Sequence, residues 1–339
     1  MRDFACPHCG QRLAFENSVC LSCSNGVGFD LEVLDFVVVD RDGAVAGDSS
    51  RGICTNLDTA GCNWVVATSG TLCRSCALTR TRPADGDPEM PAFVAAERAK
   101  RRLVVELVEL GLPITDRRAD PHSGLTFDLL SSHQTAVTTG HDSGVITLDL
   151  AEGDDVHREQ LRISMDEPYR TLLGHFRHEI GHYYFAVLVE RSTAARQEFR
   201  ILFGDPGGDY QSALDRHYSE GVPAGWESEY VSSYATMHPA EDWAETFAHY
   251  LHIRDTVDTA AAFGFAPAGS TAASPMSGPG GFTRLVELWI PLAWALNMVN
   301  RSMGHRDLYP FALSPRVLDK MAFAHRLVTQ VRDEVAAAS

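Results

Sequence analysis

Apolar residues recur at helical spacing in the middle of the chain. Between Leu172 and Leu188 they lie three or four positions apart, which at about 100° per residue places them on one stripe of an α-helix. Pro168, which follows two acidic residues, is typical of a first helical turn. The pattern predicts a helix that packs this stripe into a core and turns His178 and His182, on its other side, toward a cleft.

The same patterns predict further helices and a small sheet. Helical periodicity covers residues 93–110, 194–203, 210–218 and a segment that Pro239 opens. Residues 125–150 are typical of strands around a turn at Gly140–Gly144, whereas the Gly-, Ala-, Ser- and Pro-rich residues 266–281 predict a mobile loop. Helices and strands in separate stretches indicate an α+β fold.

The placement of cysteine divides the chain into two parts. A chain of 339 residues has room for about two domains, and all eight cysteines lie between Cys6 and Cys76. Several prolines and a glycine then follow and are typical of a linker. We therefore predict a small cysteine-rich domain over 1–82, a linker over 83–91 and an α+β domain over 92–339.

The cysteines fall into two groups of four with the spacing of zinc ligands. The first group is Cys6, Cys9, Cys20 and Cys23, and the second is Cys54, Cys62, Cys73 and Cys76. Each C-x-x-C turn can direct two thiolates at one tetrahedral Zn²⁺, although the first half of the second group is more widely spaced. A redox C-x-x-C is the alternative for that group, but no βαβ pattern accompanies it. We predict two structural zinc ions.

The central helix carries His-Glu-Ile-Gly-His at residues 178–182. Positions i and i+4 share one helix face, so His178 and His182 can bind one zinc ion. Glu179 follows the first ligand and is the candidate general base for a water activated by that metal. The alternative is a chance occurrence of this short motif on a solvated helix face.

Two histidines leave a catalytic zinc site short of one protein ligand. A metzincin continuation is excluded, because its glycine and histidine positions hold Phe185 and Leu188. In the segment that Pro239 opens, Glu241 and Glu245 lie on one helix face. We predict Glu241 as the third ligand and Glu245 as the acceptor that orients a ligand imidazole; the rival ligands are Asp242 and, less favoured, His249.

These motifs resemble those of known zinc peptidases. His-Glu-Ile-Gly-His followed by Glu-Asp-Trp-Ala-Glu-Thr-Phe at 241–247 resembles the zincins with an E-x-x-x-E helix, as in the anthrax lethal factor and Pro-Pro endopeptidase groups. The resemblance implies that Glu241 binds zinc. It also implies that Tyr234, seven residues before Glu241, stabilises the oxyanion.

A second resemblance covers almost the whole chain. The chain resembles the bacterial family of zinc-ribbon, zinc-binding metallopeptidases. The resemblance rests on the cysteine-rich part and on three later segments: Glu-Pro-Tyr-Arg-Thr-Leu-Leu-Gly-His-Phe-Arg-His-Glu at 167–179, Tyr-Ala-Thr-Met-His-Pro at 234–239 and Asp-Trp-Ala-Glu-Thr-Phe-Ala-His-Tyr-Leu-His at 242–252. That resemblance implies a zincin fold and peptidase activity, and it implies no particular substrate.

Charge and hydropathy limit the partners. The net charge of −16 argues against broad binding to nucleic acid or anionic membrane. A basic run, Arg98 to Arg102, is interpreted as a solvated helix face. No signal peptide or membrane segment is evident, which favours the cytoplasm, where clustered thiols stay reduced. The expected partner is a peptide or protein substrate; the sequence identifies no partner for the zinc ribbon.

These observations favour a zinc metalloendopeptidase with Glu179 as base and Tyr234 as oxyanion donor. The alternative is a non-catalytic binding protein in which the ribbon recognises a partner and the zincin-like part is a scaffold. A general base has no use in such a scaffold. Hydrolysis of a substrate other than a peptide is a third possibility that the sequence does not separate from the first.

Overall fold

The α+β class predicted from the sequence is confirmed by a computed structural model. The structure describes residues 2–133, 135–153, 171–265 and 278–338. It forms two compact units, Met1–Leu107 with Ile114–Asp154 and Val108–Pro113 with Asp155–Ser339. The domain boundaries at 82 and 92 stay a prediction. Pro168 and most of the predicted loop at 266–281 lie outside the described residues.

The described residues of the first unit form three sheets. Its strands are β1 (Phe4–Ala5), β2 (Arg12–Leu13), β3 (Gly26–Asp30), β4 (Asp35–Val39), β5 (Ala44–Val45), β6 (Asp48–Ile53), β7 (Val65–Val66), β8 (Thr79–Thr81), β9 (Thr126–Leu130), β10 (Gly140–Asp142) and β11 (Val145–Asp149). β1 and β2 form a hairpin, and β3 to β7 form an antiparallel meander. The third sheet has the order β10-β11-β9-β8, with β9 parallel to both of its neighbours.

Aromatic rings fill the core between the first hairpin and the meander. Phe4, Phe15, Phe29 and Trp64 are almost completely buried, and the rings of Phe15 and Phe29 meet edge to face at 4.8 Å. Such pairs add to the free energy gained from burial alone. This core is small, so metal binding at the cysteines would supply much of the remaining folding free energy.

The described residues of the first unit also form two α-helices, the short α1 (Leu57–Ala60) and the long α2 (Met90–Glu109). The last two residues of α2 belong to the second unit. The interpretation of the basic run on α2 as a solvated face is wrong for two of its members. Lys100 and Arg101 are buried, and Lys100 Nζ lies 2.6 Å from Glu97 Oε1. Glu97 in turn accepts a hydrogen bond from Cys76 Sγ, so the buried cations lie beside the second cysteine group.

One predicted turn is shorter than expected. Gly140–Asp142 continues as strand β10, and only Ser143 and Gly144 turn the chain. Both residues have positive φ, 48° and 83°, which closes a tight two-residue hairpin turn and leaves the preceding residues free to pair with β11.

The second unit is helical in its described part. Its helices are α3 (Leu172–Tyr184), α4 (Thr193–Leu202), α5 (Tyr210–Glu220), α6 (Pro239–Ala262), α7 (Gly278–Ser302) and α8 (Pro315–Ala338). A π-helical turn, Phe185–Val189, extends α3, and a 3₁₀ turn, Tyr234–Thr236, precedes α6. None of the described helices combines the length and the apolar content that a membrane span requires.

Local sequence explains where α3 and α6 begin. Thr171 caps α3 by accepting a hydrogen bond from the backbone N–H of Gly174. His238 caps α6 through Nδ1, and Pro239 occupies the first helical position, where its missing N–H costs nothing. These caps fix the turns from which the site residues project.

Helices α3 and α6 cross in very close contact at Gly181. A Cβ atom at this position would lie 3.0 Å from Ala244 Cα and 3.2 Å from its carbonyl oxygen. The indole N–H of Trp243 donates to the Gly181 carbonyl at 2.8 Å and fixes the crossing. Around it pack the buried rings of Phe199, Phe203 and Phe247. Glycine is therefore the residue that permits this approach.

This contact generates a stability prediction. Gly181→Ala gains helix propensity, but its methyl group meets backbone that cannot move alone, so we expect a net loss of about 1–3 kcal/mol in the free energy of unfolding. Gly280→Ala is the matched control, because it lies in α7 with no atom near its added methyl group; it should be neutral or stabilising. Urea unfolding of both variants checks this. A Gly181→Ala protein as stable as the Gly280→Ala protein would contradict the close crossing.

Candidate metal centres

Both predicted cysteine groups form compact clusters in the first unit. Within each group, the four Sγ atoms lie within 4.8 Å of one another. The distances between Sγ atoms of Cys6 and Cys23, Cys9 and Cys20, and Cys62 and Cys73 are 3.7, 3.6 and 3.7 Å. A tetrahedron built from Zn–S bonds of about 2.3 Å has edges of about 3.8 Å. The clusters thus have the dimensions of four-thiolate zinc sites.

The second cysteine cluster is closed to solvent. All four of its cysteines are buried, and backbone N–H groups of Cys73 and Cys76 donate to the sulfurs of Cys54 and Cys73, at 3.2 and 3.4 Å. Such bonds stabilise thiolates. Zinc sites with four protein ligands and no open position are typically structural rather than catalytic.

A third cluster lies in the second unit, where α3 faces α6. The Nε2 atoms of His178 and His182 are 3.3 Å apart, and Glu241 Oε2 lies 3.0 Å from the first and 3.4 Å from the second. Tetrahedral zinc with bonds of 2.0–2.1 Å has ligand–ligand edges of about 3.3–3.4 Å. The structure thus brings the three predicted ligands to the spacing of one face of a zinc tetrahedron.

A carboxylate behind His178 fixes the orientation of its ring. His178 Nδ1 lies 2.7 Å from Glu245 Oε1, and the Ser232 hydroxyl donates to Glu245 Oε2 at 2.6 Å. An ionised carboxylate can only accept, so Nδ1 must carry the proton and Nε2 of a neutral ring is left as the electron-pair donor. Burial would raise the pKa of Glu245, but its contacts with His178, His249 and Ser232 together outweigh burial and lower that pKa to about 2.

Two buried carboxylate oxygens at this centre lack hydrogen bonds. Oε2 of Glu179 and Oε2 of Glu241 are buried, and neither has a partner of this kind among the described residues. An orphaned buried oxygen costs free energy unless a cation or a water meets it. The Glu241 oxygen is the one nearest both imidazoles, so the donor set fits a bound divalent cation. Glu179 is the residue of α3 that follows His178, and its Oε2 is not one of the three donor atoms.

The charges of the two acids and of His178 are coupled. Burial would lower the pKa of His178, but its contacts with Glu241 and Glu245 outweigh burial and raise that pKa well above the usual value. Conversely, burial would raise the pKa of Glu241, whereas its contacts with His178 and His182 lower it. The cluster therefore favours positive charge at its centre.

His175 holds the candidate base in place. Its Nε2 lies 3.1 Å from Glu179 Oε1, one helical turn away. Burial raises the pKa of Glu179, but the bond from His175 and the nearby histidines lower it overall, which keeps the carboxylate ionised. The sequence shows His175 near the motif, and its i, i+4 spacing to Glu179 was the signal from which this contact could have been predicted.

The rival ligands lie elsewhere. Asp242 Oδ2 contacts Lys320 Nζ of α8 at 2.6 Å, both side chains being buried, and His249 Nδ1 lies 2.8 Å from the Tyr309 hydroxyl. Asp242 is one position, or about 100°, from Glu241 on the same helix, which explains why adjacent acids face different partners.

Two tyrosines border the centre. The ring of Tyr234, the predicted oxyanion donor, lies 5.9 Å from that of His178, centroid to centroid. Tyr210, at the start of α5, donates from its hydroxyl to Glu241 Oε1 at 3.1 Å. Partial burial and the charge of Glu241 raise the pKa of Tyr210, although its hydrogen bond with Tyr234 lowers it, so the phenol keeps its proton. Tyr210 was missed, because no motif links it to a residue 31 positions away.

Known proteins match both parts of the chain. Residues 89–327 match the family described as "Putative zinc-binding metallo-peptidase", and residues 3–87 match a zinc-ribbon domain. No solved structure gives a significant match.

Mycobacterial relatives match over nearly their whole length. They are the uncharacterized proteins Rv2568c and MT2644 of Mycobacterium tuberculosis, strains ATCC 25618 / H37Rv and CDC 1551 / Oshkosh, and Mb2598c of Mycobacterium bovis. Each is 59% identical over 334 residues, which cover 98% of this chain and 96% of the relative. The chain therefore belongs to the zinc-binding metallopeptidase family that these matches define, with a zinc-ribbon domain preceding the metallopeptidase region.

Proposed function

We propose that this protein is a zinc-dependent endopeptidase whose catalytic zinc is held by His178, His182 and Glu241. The observation that supports this most strongly is the set of three donor atoms at 3.0–3.4 Å from one another, with the orphaned oxygen of Glu179 beside it. Zinc bound by three such ligands keeps an open position, polarises a carbonyl and lowers the pKa of bound water to about 7.

In this proposal Glu179 is the general base. Its Oε1 is occupied by His175, and its buried Oε2 remains available to accept a proton from the attacking water. It then donates that proton to the leaving amine, so the same carboxyl group acts first as general base and then as general acid. His175 is the positioning residue that keeps the carboxylate ionised and correctly turned.

Tyr234 is proposed to stabilise the developing oxyanion. Its ring borders His178, and its phenol can donate a hydrogen bond to the carbonyl oxygen of the scissile bond. The two cysteine clusters are proposed to hold structural zinc, which gives three zinc ions per chain. None of the eight cysteines forms a disulfide, and clustered thiolates that bind zinc persist in a reducing compartment, which favours the cytoplasm.

A scaffold without catalytic function would need neither the ionised, positioned Glu179 nor a donor at Tyr234. The peptide is favoured over other hydrolysable substrates by the family to which the chain belongs.

The base predicts a specific loss of turnover. Glu179→Gln preserves size and cannot accept the proton, so hydrolysis of quenched fluorescent peptides from a mixed library should fall by at least ~10²-fold. Zinc content by elemental analysis and the melting temperature should change little. Glu190→Gln, which alters an exposed acid just after the same helix, should keep full activity. Undiminished activity in Glu179→Gln would refute the proposed base.

The contact between Tyr210 and Glu241 predicts a change in metal affinity. Tyr210→Phe removes the hydrogen bond that turns Glu241 Oε2 toward the histidines, so affinity for the zinc at this centre should fall by about 10-fold or more. Competition with a chromogenic chelator measures this zinc affinity. The zinc ion that a His182→Ala variant no longer binds is the one at this centre, which distinguishes it from the zinc at the cysteine clusters. Tyr218→Phe, on an exposed tyrosine of the same helix, is the control. Equal affinities in the two variants would show that Tyr210 does not position the ligand.

A further inference from the structure

A cavity in the second unit borders the segment 231–234, which also borders the proposed catalytic centre, and none of the catalytic residues lines it. Its volume is about 240 Å³, and its walls include the rings of Trp226, Tyr230 and Phe311. An apolar cavity of about 150 Å³ holds a benzene molecule. The space is therefore sufficient for one long or aromatic side chain.

One segment forms a wall shared by the cavity and the metal centre. Val231 and Ser233 line the cavity. The residues that alternate with them face the centre: Ser232 donates to Glu245, and Tyr234 borders the ring of His178. A peptide advances by about 3.3–3.6 Å per residue when extended. A substrate that runs along the edge of this segment, with a carbonyl at Tyr234, would present a neighbouring side chain to the cavity.

The wall is held in place from behind by a buried cation. Lys320 Nζ donates to the Glu229 carbonyl oxygen at 2.7 Å and lies 4.3 Å from the centre of the Tyr230 ring. Its charge is balanced by Asp242, 2.6 Å away. The aromatic wall therefore has a fixed backbone, and the cation behind it is already paired.

The charge of the cavity is negative. Among the described residues that line it, Glu227 alone is charged. Glu227 is exposed and makes no ion pair or side-chain hydrogen bond within the described part of the chain. The nearby Glu229, by contrast, lies 3.7 Å from Arg316. A carboxylate at the edge of an aromatic cavity favours a cationic occupant, because the ring faces also attract cations.

We propose that this cavity is a specificity subsite that binds a basic substrate side chain next to the scissile bond, with arginine preferred. The planar guanidinium can stack on an aromatic ring and pair with Glu227 at the same time, whereas the ammonium group of lysine is compact and more strongly hydrated. The aliphatic stem would lie against Val231 and the rings. This inference rests on the proposed peptidase function, whose substrate class it narrows.

Binding of small probes tests the subsite without any need for hydrolysis. The zinc-loaded protein is titrated with Nα-acetyl-arginine amide and with its neutral near-isostere, Nα-acetyl-citrulline amide, and binding is followed by ligand-observed NMR. We expect arginine amide to bind at least ~5-fold more tightly, from the stacked and paired cation. E227Q should abolish the difference. E220Q, which removes an exposed carboxylate from the end of α5, should retain it.

Cleavage of a peptide library separates this inference from the proposed function. We expect arginine to be enriched at one position near the cleaved bond for the wild type and E220Q, and not for E227Q. If arginine amide binds selectively and no peptide is cleaved, the subsite stands and the peptidase proposal fails. Cleavage without a preference for arginine would overturn the subsite alone. Equal binding of the two amides, or an arginine preference that survives E227Q, would also overturn it.

Discussion

The contact between Gly181 and Ala244 is the constraint on which the metal centre depends. It lets helices α3 and α6 approach until no side-chain atom fits between them at this point. His178 and His182 lie on one helix, and Glu241 lies on the other. Their donor atoms are separated by 3.0–3.4 Å, so a displacement of even half an ångström would spoil the geometry. The glycine inside the H-E-x-x-H motif is thus as much a part of the centre as the histidines.

Charge balance is the second requirement that this crossing imposes. It buries the carboxylates of Glu179 and Glu241, and most of that of Glu245, in a small volume, where uncompensated negative charge is costly. Without metal, the raised pKa of His178 supplies part of the compensation. A divalent cation between the imidazoles and Glu241 would supply more. The adjacent Asp242 is buried on another side of α6 and needs its own cation, which Lys320 provides.

Much of this arrangement could be predicted because it follows from local periodicity. Spacing of i, i+4 within one helix predicts that His178 faces the same side as His182, and the helix signal at Pro239 predicts the phase of Glu241 and Glu245. The cysteine knuckles are equally local. Each of these features is encoded within a few residues, and in each the structure brings the predicted side chains together.

Other features depend on packing between distant segments and have no local signal. The contact of Tyr210 with Glu241 requires α5 to reach the start of α6. The burial of Lys100 depends on Glu97 of the same helix and on Thr79 of strand β8, whereas the charge run alone indicated a solvated surface. The cavity edged by Glu227 likewise combines segments about 80 residues apart, including Phe311.

The central claim is that the crossing of α3 and α6 builds a zinc site from two histidines and Glu241. A crystal structure of the zinc-loaded protein, with anomalous diffraction recorded at the zinc absorption edge, tests it directly. The account predicts three anomalous peaks: one at each cysteine cluster and one within about 2.0–2.2 Å of His178, His182 and Glu241. Absence of the third peak from a fully loaded protein, or its coordination by Asp242 in place of Glu241, would contradict the account.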